Sequence, residues 1–220
     1  MRKLYTCGIV VVILLGLFTA GLWFRTTYQR NQAEALLKDV DSLELDTATF
    51  SEAQQIAGKY GGLAVPSQQG SYCTAQDCTF TFLFENKFLS GLNRRRRVSF
   101  TVGLMIENGK VVGKEVTYGL TTKSAVLFAY ILFDRIHSRL SHQEITRNWD
   151  AHGGLRRLQV DLVPSTAADL RRRAYSIDLS CLAILRGCDT PNTIFPSGLN
   201  NSETDGNLPT NQNIDWEGSH

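Results

Sequence analysis

The first part of the chain is an apolar stretch without charges. From Leu4 to Phe24 there are 21 uncharged residues, the length that a helix needs to cross a hydrocarbon core of ~30 Å at ~1.5 Å per residue. Trp23 and Phe24 suit the aromatic belt at the membrane interface. The pattern predicts a transmembrane signal-anchor over residues 1–25, which contacts the lipid bilayer through residues 4–24.

The charges around this stretch predict its orientation. Arg2, Lys3 and the α-amino group precede it, whereas Arg25 and Arg30 follow it with Glu34 soon after. Because cytoplasmic flanks carry the excess of positive charge, we expect a cytoplasmic N-terminus and a periplasmic or extracellular domain. A cleaved signal peptide is the alternative and would also export the domain, but its apolar run is shorter and ends at a small-residue site. A hydrophobic core helix is a third interpretation.

Helical periodicity continues beyond the apolar stretch. Residues 26–47 are predicted as a juxtamembrane helix, whose apolar stripe is formed by Leu36, Leu37, Val40 and Leu43. In the segment TATFSEAQQIAGKYGG, the pair Thr49 and Glu52 and the pair Ser51 and Gln54 both match the capping-box pattern. A Gly-Gly pair marks the end of this second helix.

The period of the apolar positions then changes to two, which is typical of β-strands. Four segments follow this pattern: TFTFLFE (79–85), RVSFTVGLMI (97–106), KVVGKEVTYGL (110–120) and LQVDLV (158–163). A fifth, Ala125–Phe133, is apolar throughout and is interpreted as a buried strand rather than a buried helix because of its Val, Ile and aromatic content. We therefore predict an α+β fold with an antiparallel sheet of about five strands and helices on one face. A helix followed by a strand meander is similar in topology to the cystatin-like and NTF2-like folds.

The turn at Glu107-Asn108-Gly109 decides which side chains of the second and third strands share a face. A two-residue Asn-Gly turn would put their apolar residues on opposite faces. A three-residue loop with a left-handed glycine gives one apolar face, through the pairs Leu104–Val112, Phe100–Val116 and Val98–Tyr118. We therefore expect this bulged turn. Lys114 would then lie opposite Val102 and would extend its amine to solvent or sit at an edge.

The remaining chain completes the predicted domain. A capping pattern at Thr166 predicts a short helix to Tyr175, and a second helix is expected through residues 176–187. The exported α+β domain is predicted over residues 48–196. Residues 197–220 are polar, aperiodic and rich in Asn and Gly, which predicts a disordered tail.

Four of the five cysteines stand in two close pairs, Cys73 with Cys78 and Cys181 with Cys188. In an oxidising compartment such pairs are usually disulfides. Structural zinc prefers closer spacings and thioredoxin-like chemistry needs C-x-x-C, so neither is predicted. We expect the two local disulfides, and pairing between the two sites remains open. Cys7 lies in the apolar stretch and is interpreted as a packing residue.

Basic residues are concentrated in one part of the chain. Residues 91–175 hold 15 Lys and Arg against 7 Asp and Glu, whereas residues 176–220 hold one against six. Basic runs attract nucleic acid, lipid headgroups or acidic polymers, but an exported domain is not expected to bind nucleic acid. The first interpretation of the run Arg94, Arg95, Arg96 and Arg97 is a solvated loop that protects a strand edge, and the second is a contact for an anionic surface or polymer. The arginines of LRRRAY (Arg171–Arg173) are interpreted as solvated.

Few residues suggest catalysis. Asp150 and His152 lie together in WDAHGG, and an acid beside a histidine is what base catalysis uses. However, no nucleophile or G-x-S-x-G motif accompanies them. His137 and His142 lack the i, i+4 spacing of helical metal ligands, and neither a phosphate loop nor a dinucleotide fingerprint occurs. Neither a metal nor a cofactor is predicted.

These features together predict a single-pass membrane protein whose exported, disulfide-linked domain has a binding or structural role in the cell envelope, with a protein partner. An enzyme is disfavoured. One alternative is an envelope hydrolase that uses Asp150 and His152. The other is a small-ligand-binding domain that uses the concave side of its sheet.

Overall fold

The computed structural model describes residues 2–66, 72–85, 97–121, 126–137, 140–149, 155–183, 194–196 and 199. Its helices are α1 (Arg2–Ser42), α2 (Phe50–Tyr60), α3 (Ala168–Tyr175) and a 3₁₀ helix (Leu179–Leu182). Its strands are β1 (Leu63–Val65), β2 (Asp77–Glu85), β3 (Arg97–Glu107), β4 (Lys110–Thr121), β5 (Val126–Arg135), β6 (Glu144–Trp149) and β7 (Leu155–Leu162).

Helix α1 is unbroken and lies in two environments. Its first part exposes large apolar side chains, including Phe18 and Trp23, which are 61% and 67% exposed. An 18-residue window there has a mean hydropathy of 2.0 and is 6% buried, so this part is long and apolar enough to span a membrane. The helix then enters the domain, where Leu36, Leu37 and Val40 of the predicted stripe are buried, as are Thr26 and Ala33, and Leu43 is partly buried against the core. Among the described residues, α1 is the one helix with these properties.

Helix α2 begins and ends as its sequence predicts. The backbone N–H of Thr49 donates to the Glu52 carboxylate at 2.7 Å, and the Glu52 N–H donates to Thr49 Oγ1 at 3.4 Å. Of the two candidate capping boxes, this is therefore the one that caps the helix. Gly61 ends the helix with a φ of 71°, a conformation that glycine adopts at low cost.

The sheet is larger than predicted and is mixed rather than antiparallel. Its order is β1-β2-β3-β4-β5-β7-β6. The first five strands form an antiparallel meander, and β7 then pairs parallel to β5 and antiparallel to β6. All five predicted strands are present. The predicted number of about five was nevertheless wrong, because two edge strands lacked a periodic signal. β1 has only three residues, and β6 (EITRNW) is mostly polar.

The β3–β4 hairpin has a different register from the predicted one. Its turn consists of Asn108 and Gly109, with φ of 53° and 76°, the type I′ geometry that suits two-residue hairpins. The pairing shifts between Met105 and Ile106, which leaves Val112 as an extra residue in β4. This bulge reverses the alternation of β4. As a result, four side chains of β4 lie on the same face as the apolar residues of β3: Lys114, Val116, Tyr118 and Leu120.

The helices pack on one face of the sheet, as predicted. Side chains from α1, α2, α3 and the 3₁₀ helix share one core cluster with the even-numbered residues of β2 to β5. Phe100 and Tyr118 lie edge to face in its centre, with ring centroids 6.0 Å apart. None of the described elements covers the other face, which we call the open face; there, for example, Leu83 is 59% exposed.

The predicted short helix to Tyr175 is present as α3, but its predicted cap and the helix predicted after it are not. The Thr166 hydroxyl accepts a hydrogen bond from the Val163 N–H at 2.9 Å and does not cap α3. Residues 176–187 do not form the predicted helix, since their described part holds only the 3₁₀ turn Leu179–Leu182. Leu199, within the predicted tail, is buried in the core.

The structure contains the predicted disulfide between Cys73 and Cys78. It closes the loop that leads into β2, where the buried Cys78 joins the core. Cys181 is also buried and disulfide-bonded. Cys188, its expected partner, lies outside the described residues.

Three core tyrosines, Tyr118, Tyr130 and Tyr175, allow a test of this packing. Burial raises the pKa of each phenol, so the folded protein keeps protons that the unfolded chain loses near pH ~10. The free energy of unfolding should therefore fall as the pH rises through ~10. We expect tyrosinate absorbance from these residues to appear together with loss of circular dichroism.

A phenylalanine variant is the control for this titration. Tyr130→Phe removes the 2.7 Å hydrogen bond from the Tyr130 hydroxyl to the Ala174 carbonyl, which should cost about 1 kcal/mol. It should also remove part of the late absorbance step. Ionisation of all tyrosines before unfolding would contradict the described core.

Candidate functional site

Buried charged and polar side chains converge where the end of α1 meets the sheet and α3. Lys114 comes from β4, Asp134 from the paired position of β5, and Arg171 and Tyr175 from α3. Lys114 is 2% exposed and Asp134 is fully buried. We call these four residues the Asp134 cluster. Buried charges without partners are costly, so their surroundings decide what they can do.

Asp134 is the acceptor at the centre of the cluster. Its Oδ2 accepts a hydrogen bond from the Arg171 guanidinium and another from the Tyr175 hydroxyl at 3.2 Å. Arg171 and Tyr175 are one helical turn apart, so both reach the same oxygen. Arg171 also donates to the Val163 carbonyl at 3.0 Å. The contacts fasten α3 to the end of β5.

Lys114 connects the cluster to α1. Its Nζ donates to the carbonyl oxygen of Asp41 at 3.2 Å and lies 5.4 Å from the centre of the Tyr175 ring. The last carbonyls of a helix lack partners within it and form the negative end of its dipole, so they attract an ammonium group. The prediction that Lys114 lies opposite Val102 and either extends its amine to solvent or sits at an edge was wrong. The bulge places it opposite Leu104 inside the core.

Burial shifts the pKa of Lys114 more than its charged neighbours do. Burial lowers the pKa of Lys114, although Asp134 and Asp41 oppose the shift. Desolvation likewise raises the pKa of the Asp41 carboxyl against the attraction of Lys114. Both shifts favour the neutral forms, because desolvation outweighs the attraction between the two charges.

A cleft of about 500 Å³ opens beside the cluster. Lys114 and Arg171 contribute to its wall, together with the acidic residues Asp41, Glu44 and Asp46. Within the described part of the chain, the buried Oδ1 of Asp134 has no hydrogen-bond partner. The remaining contacts of the Asp134 cluster hold α1, β4, β5 and α3 together. We therefore interpret the cluster as a structural element of the core beneath a polar cleft.

The open face of the sheet carries a second cavity, of about 790 Å³. Two of its lining residues, Glu115 and Arg135, form an ion pair at 3.5 Å. Outside the cavity, on β7, Gln159 accepts from Arg157 and donates to Asp161, both at 2.8 Å. A surface with such paired polar groups resembles the polar part of a protein–protein interface more than an enclosed ligand pocket.

Most residues predicted as site candidates lie outside the described residues: Arg94, Arg95, Arg96, Asp150 and His152. Arg97 is described and is the exposed first residue of β3, opposite Thr121. The anionic contact and the hydrolase site therefore stay predictions. Among the described residues, no three His, Cys, Asp or Glu side chains are grouped so as to hold a metal.

Sequence reasoning missed Asp134 and misjudged Arg171. Arg171 was expected in solvent, but it binds a buried carboxylate. A signal for Asp134 was present, because it continues the buried alternate positions Tyr130 and Leu132 of β5. A charged residue in that position requires a buried partner of opposite charge.

No family model, curated protein or solved structure matches this chain. The function is therefore argued from the geometry of the described residues.

Two substitutions distinguish the roles of the cluster's charges. Lys114→Met keeps the alkyl packing and removes a buried charge, so we expect the free energy of unfolding to change by less than about 1 kcal/mol at neutral pH. Asp134→Ala leaves the Arg171 charge without its acceptor and should cost about 3 kcal/mol. Urea unfolding followed by circular dichroism measures both.

The matched control is Asp169→Ala. Asp169 lies 3.3 Å from its exposed partner Arg173, so the substitution should lower the free energy of unfolding by less than about 1 kcal/mol. The pH dependence adds a second readout. Because the pKa of Lys114 is lowered in the folded state, the wild type should gain stability relative to Lys114→Met as the pH rises toward ~10. Equal costs for Lys114→Met and Asp134→Ala would mean that the ammonium is itself stabilising.

Proposed function

We propose that this protein is a single-pass, membrane-anchored binding module of the cell envelope, with a cytoplasmic N-terminus and a periplasmic or extracellular domain. The observation that carries the proposal is the continuity of α1, which is apolar and largely exposed from Ile9 to Phe24 and buries one face in the domain from Thr26 onward. A helix satisfies its own backbone in lipid. The same helix therefore anchors the chain and forms part of the domain's core.

Two features support export of the domain. The disulfide between Cys73 and Cys78 and the disulfide-bonded state of Cys181 suit an oxidising compartment, since cytosolic thiols are kept reduced. Arg2 and Lys3 before the apolar stretch favour a cytoplasmic N-terminus.

A protein partner is supported by the open face and its edge. Apolar side chains stand exposed there among paired polar groups, with Leu63 70% and Leu83 59% exposed. In the described chain, β1 pairs only with β2, so its other edge presents free backbone groups. Such an edge is able to accept a strand from a partner. We propose that the partner binds across β1 and β2 on the open face.

Intact mass of the full-length protein from its native membrane tests the anchor and the compartment. We expect an uncleaved chain in which only Cys7 reacts with an alkylating agent before reduction, and all five cysteines react after it. Four further reactive thiols before reduction would place the domain in the cytoplasm. Cleavage after the apolar stretch would leave an exported domain without an anchor.

Site-specific photo-cross-linking in intact cells tests the partner surface. A cross-linker at Leu83, on the open face, should form an adduct with one envelope protein. The matched control is a cross-linker at Asp169, which is also exposed but lies on the helix side of the domain. Identical adducts from both positions, or none from Leu83, would contradict binding at the open face.

A further inference from the structure

Two hydrogen bonds give the direction of β4 relative to α1. The Lys114 ammonium donates to the Asp41 carbonyl at 3.2 Å, and the Asp46 N–H, just after the helix, donates to the Val111 carbonyl at 2.9 Å. As β4 runs from Val111 to Lys114, its contacts move from Asp46 back to Asp41, so β4 runs antiparallel to α1. Its Thr121 end therefore points toward the apolar part of the helix.

The hydrogen bond between Lys114 and Asp41 also gives the level of Arg97 along α1. Arg97 pairs with Thr121, which lies about 23 Å of strand beyond Lys114. Phe24 lies about 26 Å of helix beyond Asp41 in the same direction. The exposed Arg97 thus lies at about the level of Phe24, where the apolar stretch ends.

Two further arginines lie at this end of the domain. Arg25 directly follows the apolar stretch, and Arg156 lies two residues before Leu158, which shares the level of Tyr118 through the pairing of β4, β5 and β7. Arg25, Arg97 and Arg156 are exposed, and none forms an ion pair with another described residue. We call these three residues the basic rim.

Among the described residues, charge is divided along the axis of α1. The rim's end holds Arg157 besides the three rim arginines, and Glu85, paired with Ser99, is the acidic residue there. At the opposite end, the described parts of 39–49, 66–77, 107–110 and 135–144 hold two Lys and Arg against seven Asp and Glu. The positive end is therefore the one next to the apolar stretch.

We propose that the basic rim docks on anionic lipid headgroups, so that this end of the domain lies on the membrane surface. The proposal rests on the proposed function, because it requires α1 to span the bilayer. At the level of Phe24 the rim lies within the ~8 Å Debye length of the headgroup phosphates. Guanidinium groups bind phosphate oxygens in a bidentate geometry. Of the four arginines predicted as an anionic contact, Arg97 is the one that the described residues include.

The test uses the full-length protein, reconstituted in vesicles of phosphatidylcholine or of equal parts phosphatidylcholine and phosphatidylglycerol. In a Cys7→Ser background, a fluorophore is attached at Thr121→Cys, beside the rim, or at Glu107→Cys, about 33 Å away at the other end of β3. A lipid with a quencher on its headgroup reports proximity. We expect stronger quenching at position 121 with phosphatidylglycerol, relieved by high salt, and no quenching at position 107.

Charge-reversal variants connect the quenching to the rim. Arg97→Glu and Arg156→Glu should each weaken the attraction at least fivefold, since a basic residue near an anionic surface contributes ~1 kcal/mol, and so reduce the lipid-dependent quenching. Lys38→Glu makes the same charge change on an exposed residue of α1 inside the domain and should leave the quenching unchanged. Unchanged melting temperatures would show that the variants remain folded.

Each other result has a distinct meaning. Equal quenching at position 121 in both lipids would overturn the proposal, because the tether alone would account for proximity. An absence of quenching in both would also overturn it and would leave this end free for a protein. Release of the chain by alkaline carbonate without detergent would instead overturn the membrane span, and with it the proposed function.

Discussion

The unbroken backbone of helix α1 carries an exposed apolar part and a part that is buried in the domain. Because its backbone groups bond within the helix, a stretch long and apolar enough to span a membrane continues into the protein core without a loop. Residues such as Phe18 are exposed apolar surface, whereas Leu36 and Val40 belong to a single buried stripe. Because no hinge separates the two parts, every element packed on the stripe has a fixed position relative to the apolar stretch.

The Asp134 cluster fixes the far end of the same helix. Lys114 holds the last turns of α1, and Asp134 and Arg171 hold α3 against the sheet. The cost of burying these groups is visible in the lowered pKa of Lys114. A buried charged network is a poor source of stability but excludes other packings, in which its members would lack partners. The level of the basic rim thus depends on contacts at the opposite end of the domain.

Local signals predicted much of the fold. The capping box at Thr49 and Glu52, the stripe of α1 and five strands were all readable because each depends on neighbours within a few residues. The short β1 and the polar β6 could not be predicted from their own sequences. Pairing with neighbouring strands stabilises them, and they lack an apolar periodicity of their own. Of the candidate site, Arg97 was singled out from the sequence, but its level beside Phe24 required the register of β3 and β4.

The sequence by itself determined the two periods of the chain, the apolar stretch, the cysteine pair that closes the loop before β2 and the uneven distribution of charge. These follow from composition and spacing, which act over short distances. Only the tertiary structure decided the bulge at Val112, the parallel pairing of β5 with β7, and the meeting of Lys114 with Asp134 and Arg171. The physical reason is that these choices depend on which face of a strand a helix covers, and that face is created by residues distant in the chain.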